Sequence, residues 1–223
     1  MGCSLENLRR HRIPDTPGVR CYGCLVTLKN GDIAMIADSF PWKQDLQNQK
    51  DILIKYKDLV GEDLNNDECY TNIEKAIFYS AFIIRKLIDS YDRLSDDACK
   101  YSIDVKKIKP LKPISGRCFW SEVNSHNWAN ECPDVEQARV LCNALIHSHF
   151  FFFRKEEPDG ILYFFVSSDF YKNKVLYKIS FLDWIRYIDY IIEDQIVSMT
   201  ISFDNKKGEY VCKNKKRGVW KNP

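Results

Sequence analysis

The chain lacks any long uninterrupted apolar run. Its greasiest stretch, ISFLDWIRYIDYIIEDQIV, is broken by Asp183, Arg186, Asp189, Glu193 and Asp194. A membrane-spanning helix needs roughly 20 predominantly apolar residues, so none is expected and no membrane partner is implied. An excess of one charge sign is also missing: 33 Lys and Arg stand against 31 Asp and Glu, a net charge of +2. That balance excludes a protein that coats nucleic acid through bulk charge, although local basic patches remain. There is no glycine-rich phosphate loop, no GxSxG elbow and no HExxH helix, which removes the motif-bearing nucleotide-binding, hydrolase and zinc-protease classes. Internal repeats and low-complexity tracts are absent too. The opening MGCSLENLRRHRIPD has no apolar core of a signal peptide, and Glu6 stands where a myristoylation motif requires Ser or Thr. Nine cysteines, scattered and odd in number, therefore read as reduced thiols of a cytoplasmic protein.

What is present suffices for a packed interior. The chain has 223 residues, 45% hydrophobic and 13% aromatic, so wholesale disorder is not expected. Apolar or small residues recur at Ile73, Ala76, Ile77, Ser80, Ala81, Ile84, Leu87 and Ile88, the i, i+3, i+4 pattern of an amphipathic helix over about 70–91. Thr71 and Glu74 form a capping-box pattern at its start, while Phe78, Phe82 and Ile83 widen the apolar face. A second helix is expected from Pro133-Asp134, with Gln137 closing the box, to about Phe151. A third follows Ser180, and a short one is expected around 47–59.

Strand signals come in pairs. CLVTLKNGDIAMIADSF carries Asn30-Gly31 between apolar runs, the signature of a hairpin with strands at about 22–29 and 32–38. GILYFFVSS and KVLYKIS read as strands around a polar turn, and IVSMTISFD with GEYVCKN reads as a final hairpin. The segment 97–132 is ambiguous, with a proline-spaced KIKPLKPISG and an aromatic RCFWSEV. Segregated helices and hairpins predict an α+β fold. Residues 1–66 read as an arm and hairpin region and 67–223 as the α+β domain, or the whole as one domain.

The stretch LCNALIHSHFFFF, 141–153, holds the densest set of candidate chemical groups. Asn143 and His147 lie four apart, on one face if helical. The spacing resembles the signature helix of the HEPN superfamily, whose ribonuclease members carry Arg-Asn-x-x-x-His. The resemblance covers this helix and, more loosely, the 70–91 helix as its packing partner. It implies a small helical bundle, a homodimer, and metal-independent RNA cleavage in a toxin or antiphage defence system. It does not account for the strand-rich flanks, so the expected fold is a helical core with this helix pair plus flanking β-hairpins. In that chemistry an arginine stabilises the charge of the transition state, the imidazole handles a proton and the asparagine orients its neighbours. Here the motif arginine is Cys142. Arg139 shares the stripe but lies about 12 Å along the axis from His147, leaving Arg139 or Arg85 as charge donor. The bland reading is that Asn143 and His147 are satisfied buried polar residues.

Three further features carry weaker expectations. Cys21-Tyr-Gly-Cys24 is a lone CxxC. A structural zinc needs four ligands, and the nearest complement, Cys118, His126 and Cys132, fits no usual rhythm. No cofactor is expected, a zinc at Cys21 and Cys24 being the open alternative. The C-terminal Lys213, Lys215, Lys216 and Arg217, interleaved with aromatics, are candidate nucleic-acid contacts against the alternative of a solvated charge run. The four phenylalanines 150–153 are expected to serve both sides of a buried segment. The competing functional expectation is a non-catalytic scaffold that holds a protein or nucleic-acid partner.

Overall fold

The computed structural model describes residues 39–57, 67–90, 92–114, 125–156, 160–206 and 208–218. The hairpin expected at 22–38, the Cys21/Cys24 pair, Cys118 and the RCFWSEV stretch lie outside the described residues.

Helix α1 (Phe40–Tyr56) starts at Phe40-Pro41, with proline in the first turn where its missing N–H costs nothing. Helix α2 (Asp67–Asp89) begins four residues upstream of the Thr71 capping box. Asp67 and Glu68 complement the dipole of its first turn, and Cys69 is buried there. Every residue of the expected apolar stripe is buried. Phe82 departs from the expectation: it is exposed, stacked on Tyr79 at 6.4 Å between ring centroids. A single turn, α3 (Asp96–Cys99), is capped by the Ser95 side chain.

Strands β1 (Ser102–Ile108) and β2 (Cys132–Gln137) form the edge of a five-stranded sheet. Helix α4 (Ala138–Ile146) follows, then β3 (Ser148–Glu156), β4 (Ile161–Ser168) and β5 (Leu176–Ser180). Helix α5 (Phe181–Ile192) is capped by Ser180, whose hydroxyl accepts from the Leu182 N–H at 3.2 Å, as its sequence signal predicts. The chain ends in a two-stranded ribbon, β6 (Ile196–Asp204) and β7 (Glu209–Arg217). The sheet order is β2-β1-β5-β4-β3, antiparallel at every pairing. The expected α+β class is observed, with five of the strands joined into one sheet and the last two forming a separate hairpin.

The helix expected over 134–151 is shorter, and its ends are strands. Residues 132–137 pair one by one with 102–107, and the Asp134 carboxylate binds Lys107 Nζ at 2.7 Å instead of capping. A capping box is worth about 1 kcal/mol, less than a six-residue ladder. At the other end, the phenylalanines alternate across β3. Phe151 and Phe153 pack on the main core, whereas Phe150 and Phe152 belong to a smaller cluster with Ile108, Phe165 and Leu176. The period of two places successive side chains on opposite faces of the sheet, so the run does serve both sides.

The main core lies between one sheet face and the helices. Leu46 and Leu53 of α1, Ile84 and Leu87 of α2, Leu141 and Leu145 of α4, and Trp184 and Ile188 of α5 are all buried in it. Fully burying such side chains contributes about 1.5–3 kcal/mol each. Trp184 donates its indole N–H to Ser80 Oγ at 3.1 Å, tying α5 to α2. No helix among the described residues is long and apolar enough to cross a membrane.

Candidate functional site

The packing of α4 against α2 gathers most of the expected polar residues. Arg85, in the last turns of α2, donates from Nε to Asn143 Oδ1 at 2.7 Å. Its Nη1 forms an ion pair with Asp89, one helical turn on. Arg139, in the first turn of α4, donates from Nη2 to the same Asp89 carboxylate at 3.1 Å. One carboxylate therefore bridges two arginines, and one of those arginines holds the asparagine. Arg85 is largely sheltered, with 21% of its side chain exposed, while Arg139 is 48% exposed.

His147 sits just past the end of α4. Its backbone N–H donates to the Asn143 carbonyl at 3.0 Å, and its own carbonyl accepts from the Asp169 N–H at 3.1 Å. The residue is exposed. Two consequences follow for the sequence expectations. Asn143 and His147 are not a mutually buried pair, and His147 is the capping position rather than a helical one. Arg139 remains at the far end of the helix from His147, so Arg85 is the arginine that the fold brings to Asn143. His149 belongs to β3 rather than the helix, and its Nδ1 lies 2.9 Å from Asp169 Oδ1.

Cys142, where the resembled motif has arginine, faces the core and is completely buried. Burial pushes its thiol up to about 12, partly opposed by the nearby Arg85 charge. It is neutral at ordinary pH and supplies no charge to the cluster.

The basic residues of β7 divide into two pairs. Lys215 is buried, its N–H donating to Asp96 Oδ2 at 3.1 Å and its Nζ 3.9 Å from Oδ1. The Arg217 guanidinium lies 3.7 Å from the Tyr190 ring centroid and 3.7 Å from Asp194 Oδ1. These two anchor the ribbon. Lys213 and Lys216 are exposed.

Between strands β1, β2, β4 and β5 and the first turns of α5 lies a cavity of about 630 Å³. Its lining balances Lys106, Lys178 and Arg186 against Asp104, Asp134 and Asp183. Lys178 is buried, its Nζ 2.9 Å from Glu131 Oε2 and 2.5 Å from Glu156 Oε2. Glu131 is the informative partner. Burial alone would raise its carboxyl, but hydrogen bonds from Lys178 and Lys106 outweigh that and hold it below the usual range. Charge balance and saturated pairing mark Lys178 as a clamp between strands.

Sequence reasoning missed Asp89, Asp169 and Lys178. Asp89 had a signal, since Arg85 and Asp89 are four apart on a predicted helix. Asp169 and Lys178 had none, because the partners that count here, His149 for Asp169 and Glu131 and Glu156 for Lys178, are distant in the chain. No group of three or more potential ligands able to hold a metal occurs among the described residues. The fold and the cluster define an α+β protein with a helix-borne Arg–Asn–Asp network beside an exposed histidine. Comparison with protein-family models, curated proteins and solved structures finds no match to this chain.

Proposed function

We propose that this chain acts on RNA through the α2–α4 cluster, cleaving single strands without a metal ion, as part of a toxin or antiphage defence system. The observation that carries the reading is the 2.7 Å bond from Arg85 to Asn143. It supplies, from the neighbouring helix, the arginine that position 142 lacks. In this scheme His147 exchanges a proton with the 2′-hydroxyl or the leaving 5′-oxygen. The 2′-oxygen attacks the adjacent phosphorus, the bond to the 5′-oxygen breaks, and Arg85 stabilises the charge that builds on phosphorus-bound oxygens. Asn143 holds the guanidinium plane. Asp89 competes with phosphate for both arginines, so RNA must draw Arg139, the more exposed of the two, away from it.

The test is incubation of purified protein with labelled single-stranded RNA in the presence of a chelator. Cleavage is expected, with loss in His147→Ala and a drop of about 10²- to 10³-fold in Arg85→Ala, the range for removing one charge-stabilising donor. Cleavage that survives His147→Ala, or that needs magnesium, overturns the reading. A second reading, a non-catalytic binding scaffold, is favoured by Asp89, which neutralises both arginines in a self-contained network. Asp89→Asn separates the two. It increases RNA affinity if the arginines serve phosphate, and only lowers stability if the network is structural.

A further inference from the structure

The β6–β7 ribbon extends from a pinned root. At that root, buried Asp194 accepts from Ser95 N–H at 2.7 Å and Ser95 Oγ at 2.6 Å and faces Arg217, while Asp96 receives Lys215. The acids at this root are thus already committed to Lys215 and Arg217, and the ribbon's own acids, Asp204 and Glu209, are paired in register at its far end. Beyond the root, residues 196–202 and 211–218 contain no Asp or Glu at all.

The register then assigns the remaining lysines. Lys213 lies opposite Thr200 and Lys216 opposite Ser198. In a regular strand two residues three apart point to opposite faces. Here the pairing shifts between Ser198 and Thr200, and Asn214 takes a positive φ of 54°, so β7 carries an extra residue across that step. A bulge of this kind re-aims a side chain. It returns Lys216 to the face of Lys213, because directly opposed residues share a face. That face therefore presents Ser198, Thr200 and Ser202 in alternation with two exposed ammonium groups. Met199 and Ile201 occupy the other side and are 41% and 61% exposed.

We infer that the hydroxyl-and-lysine face of this ribbon binds the phosphate backbone of a nucleic acid, single-stranded RNA being the form the proposed chemistry would use. Unopposed cations with interleaved hydroxyl donors match phosphate oxygens in charge and in hydrogen bonding. A bilayer surface is disfavoured by the same geometry. Membrane-binding faces place apolar side chains toward the lipid with the basic groups flanking them, whereas here the two kinds lie on opposite sides. The inference concerns holding nucleic acid and does not depend on cleavage by the α2–α4 cluster.

The experiment is fluorescence anisotropy of a labelled oligouridine with the full chain, titrated over a series of salt concentrations. K213S/K216S is compared with the charge-matched control K75Q/K100Q, which alters exposed lysines elsewhere. Circular dichroism verifies that both variants fold. K213S/K216S should weaken binding about tenfold or more and flatten the log–log salt slope by about 1.4, from roughly 0.7 per phosphate contact on a single strand. The control should do neither. Equal loss in both variants, an unchanged slope, failure of the wild-type chain to bind, or binding only to phosphatidylserine vesicles overturns the inference. His147→Ala should bind as tightly as wild type, so a failure of cleavage alone leaves the ribbon's role standing.

Discussion

Cys142 shares the buried side of α4 with Leu141, Ala138 and Leu145. A guanidinium at that position would enter the core beneath α2 without a carboxylate to meet it, since Asp89 lies at the exposed end of the cluster and is engaged by Arg85 and Arg139. An uncompensated buried charge costs several kcal/mol. The buried setting of position 142 thus disfavours an arginine there, and in the proposed scheme the charge is supplied from α2 instead. Restoring the motif by Cys142→Arg should destabilise the protein by more than about 3 kcal/mol. Cys142→Ala, which removes one sulfur from the core, should cost only about 1 kcal/mol. Urea denaturation of both variants checks this; a Cys142→Arg protein as stable as wild type would show that the site opens to solvent. The same shielding should leave the buried native thiol unreactive toward alkylating reagents at pH 8 while exposed Cys132 reacts, as mass spectrometry of the alkylated protein would read.

At the scale of elements, legibility followed periodicity. The stripe of α2, the Ser180 cap of α5 and the hairpins at 161–180 and 196–217 were readable because each carries its own local repeat. β1 and β2 were not. SIDVKKI mixes lysines into the buried alternation, and CPDVEQ is an exposed edge strand with no apolar face, so only their mutual pairing makes them strands. The Arg85–Asn143 bond joins residues 58 apart, and nothing local reports how α2 and α4 rotate against each other. Lys178 illustrates the same limit: L-Y-K-I-S places it opposite Tyr177 and Ile179 but cannot reveal that Glu131 and Glu156 close over it. That clamp ties β5 to the end of β3 and to the segment leading into β2. Lys178→Met leaves two carboxylates facing each other, at a cost of about 3 kcal/mol. This is the low end for breaking a buried pair, because Glu131 and Glu156 retain some contact with water. Adding Glu131→Gln and Glu156→Gln should recover most of it, as read by thermal unfolding; no recovery would mean that Lys178 acts through packing alone.

For the molecule as a whole, the buried titratable groups set an asymmetric response to pH. On the acid side Glu131 and the exposed Asp134 are both held below their ordinary values; for Asp134 the Lys107 hydrogen bond is the main cause. Carboxylates lowered by folding contribute stability that is present above their unfolded values and lost as pH falls through the folded ones. The alkaline side involves more, and more deeply buried, groups. Burial pushes Cys142 and Tyr177 each up to about 12, in Tyr177 with help from the Glu136 charge, and raises Tyr187 well above the usual tyrosine range. Lys107 is raised as well, chiefly by its hydrogen bond to Asp134. Groups raised by folding contribute fully below their unfolded values and lose that contribution as pH climbs toward the folded ones. For thiols and phenols that window opens at about 9–10. Each of these three groups thus withdraws stability as pH climbs through that window. Melting temperature should therefore hold level from about pH 6 to 8.5 and fall steeply above about 9, well before lysine side chains deprotonate. Cys142→Ala removes one of the three and should make the alkaline fall shallower while leaving the acid limb unchanged. Melting curves followed by circular dichroism across pH decide it: a profile flat to about pH 11, or an alkaline limb identical in Cys142→Ala, would mean that these groups reach solvent in the folded protein.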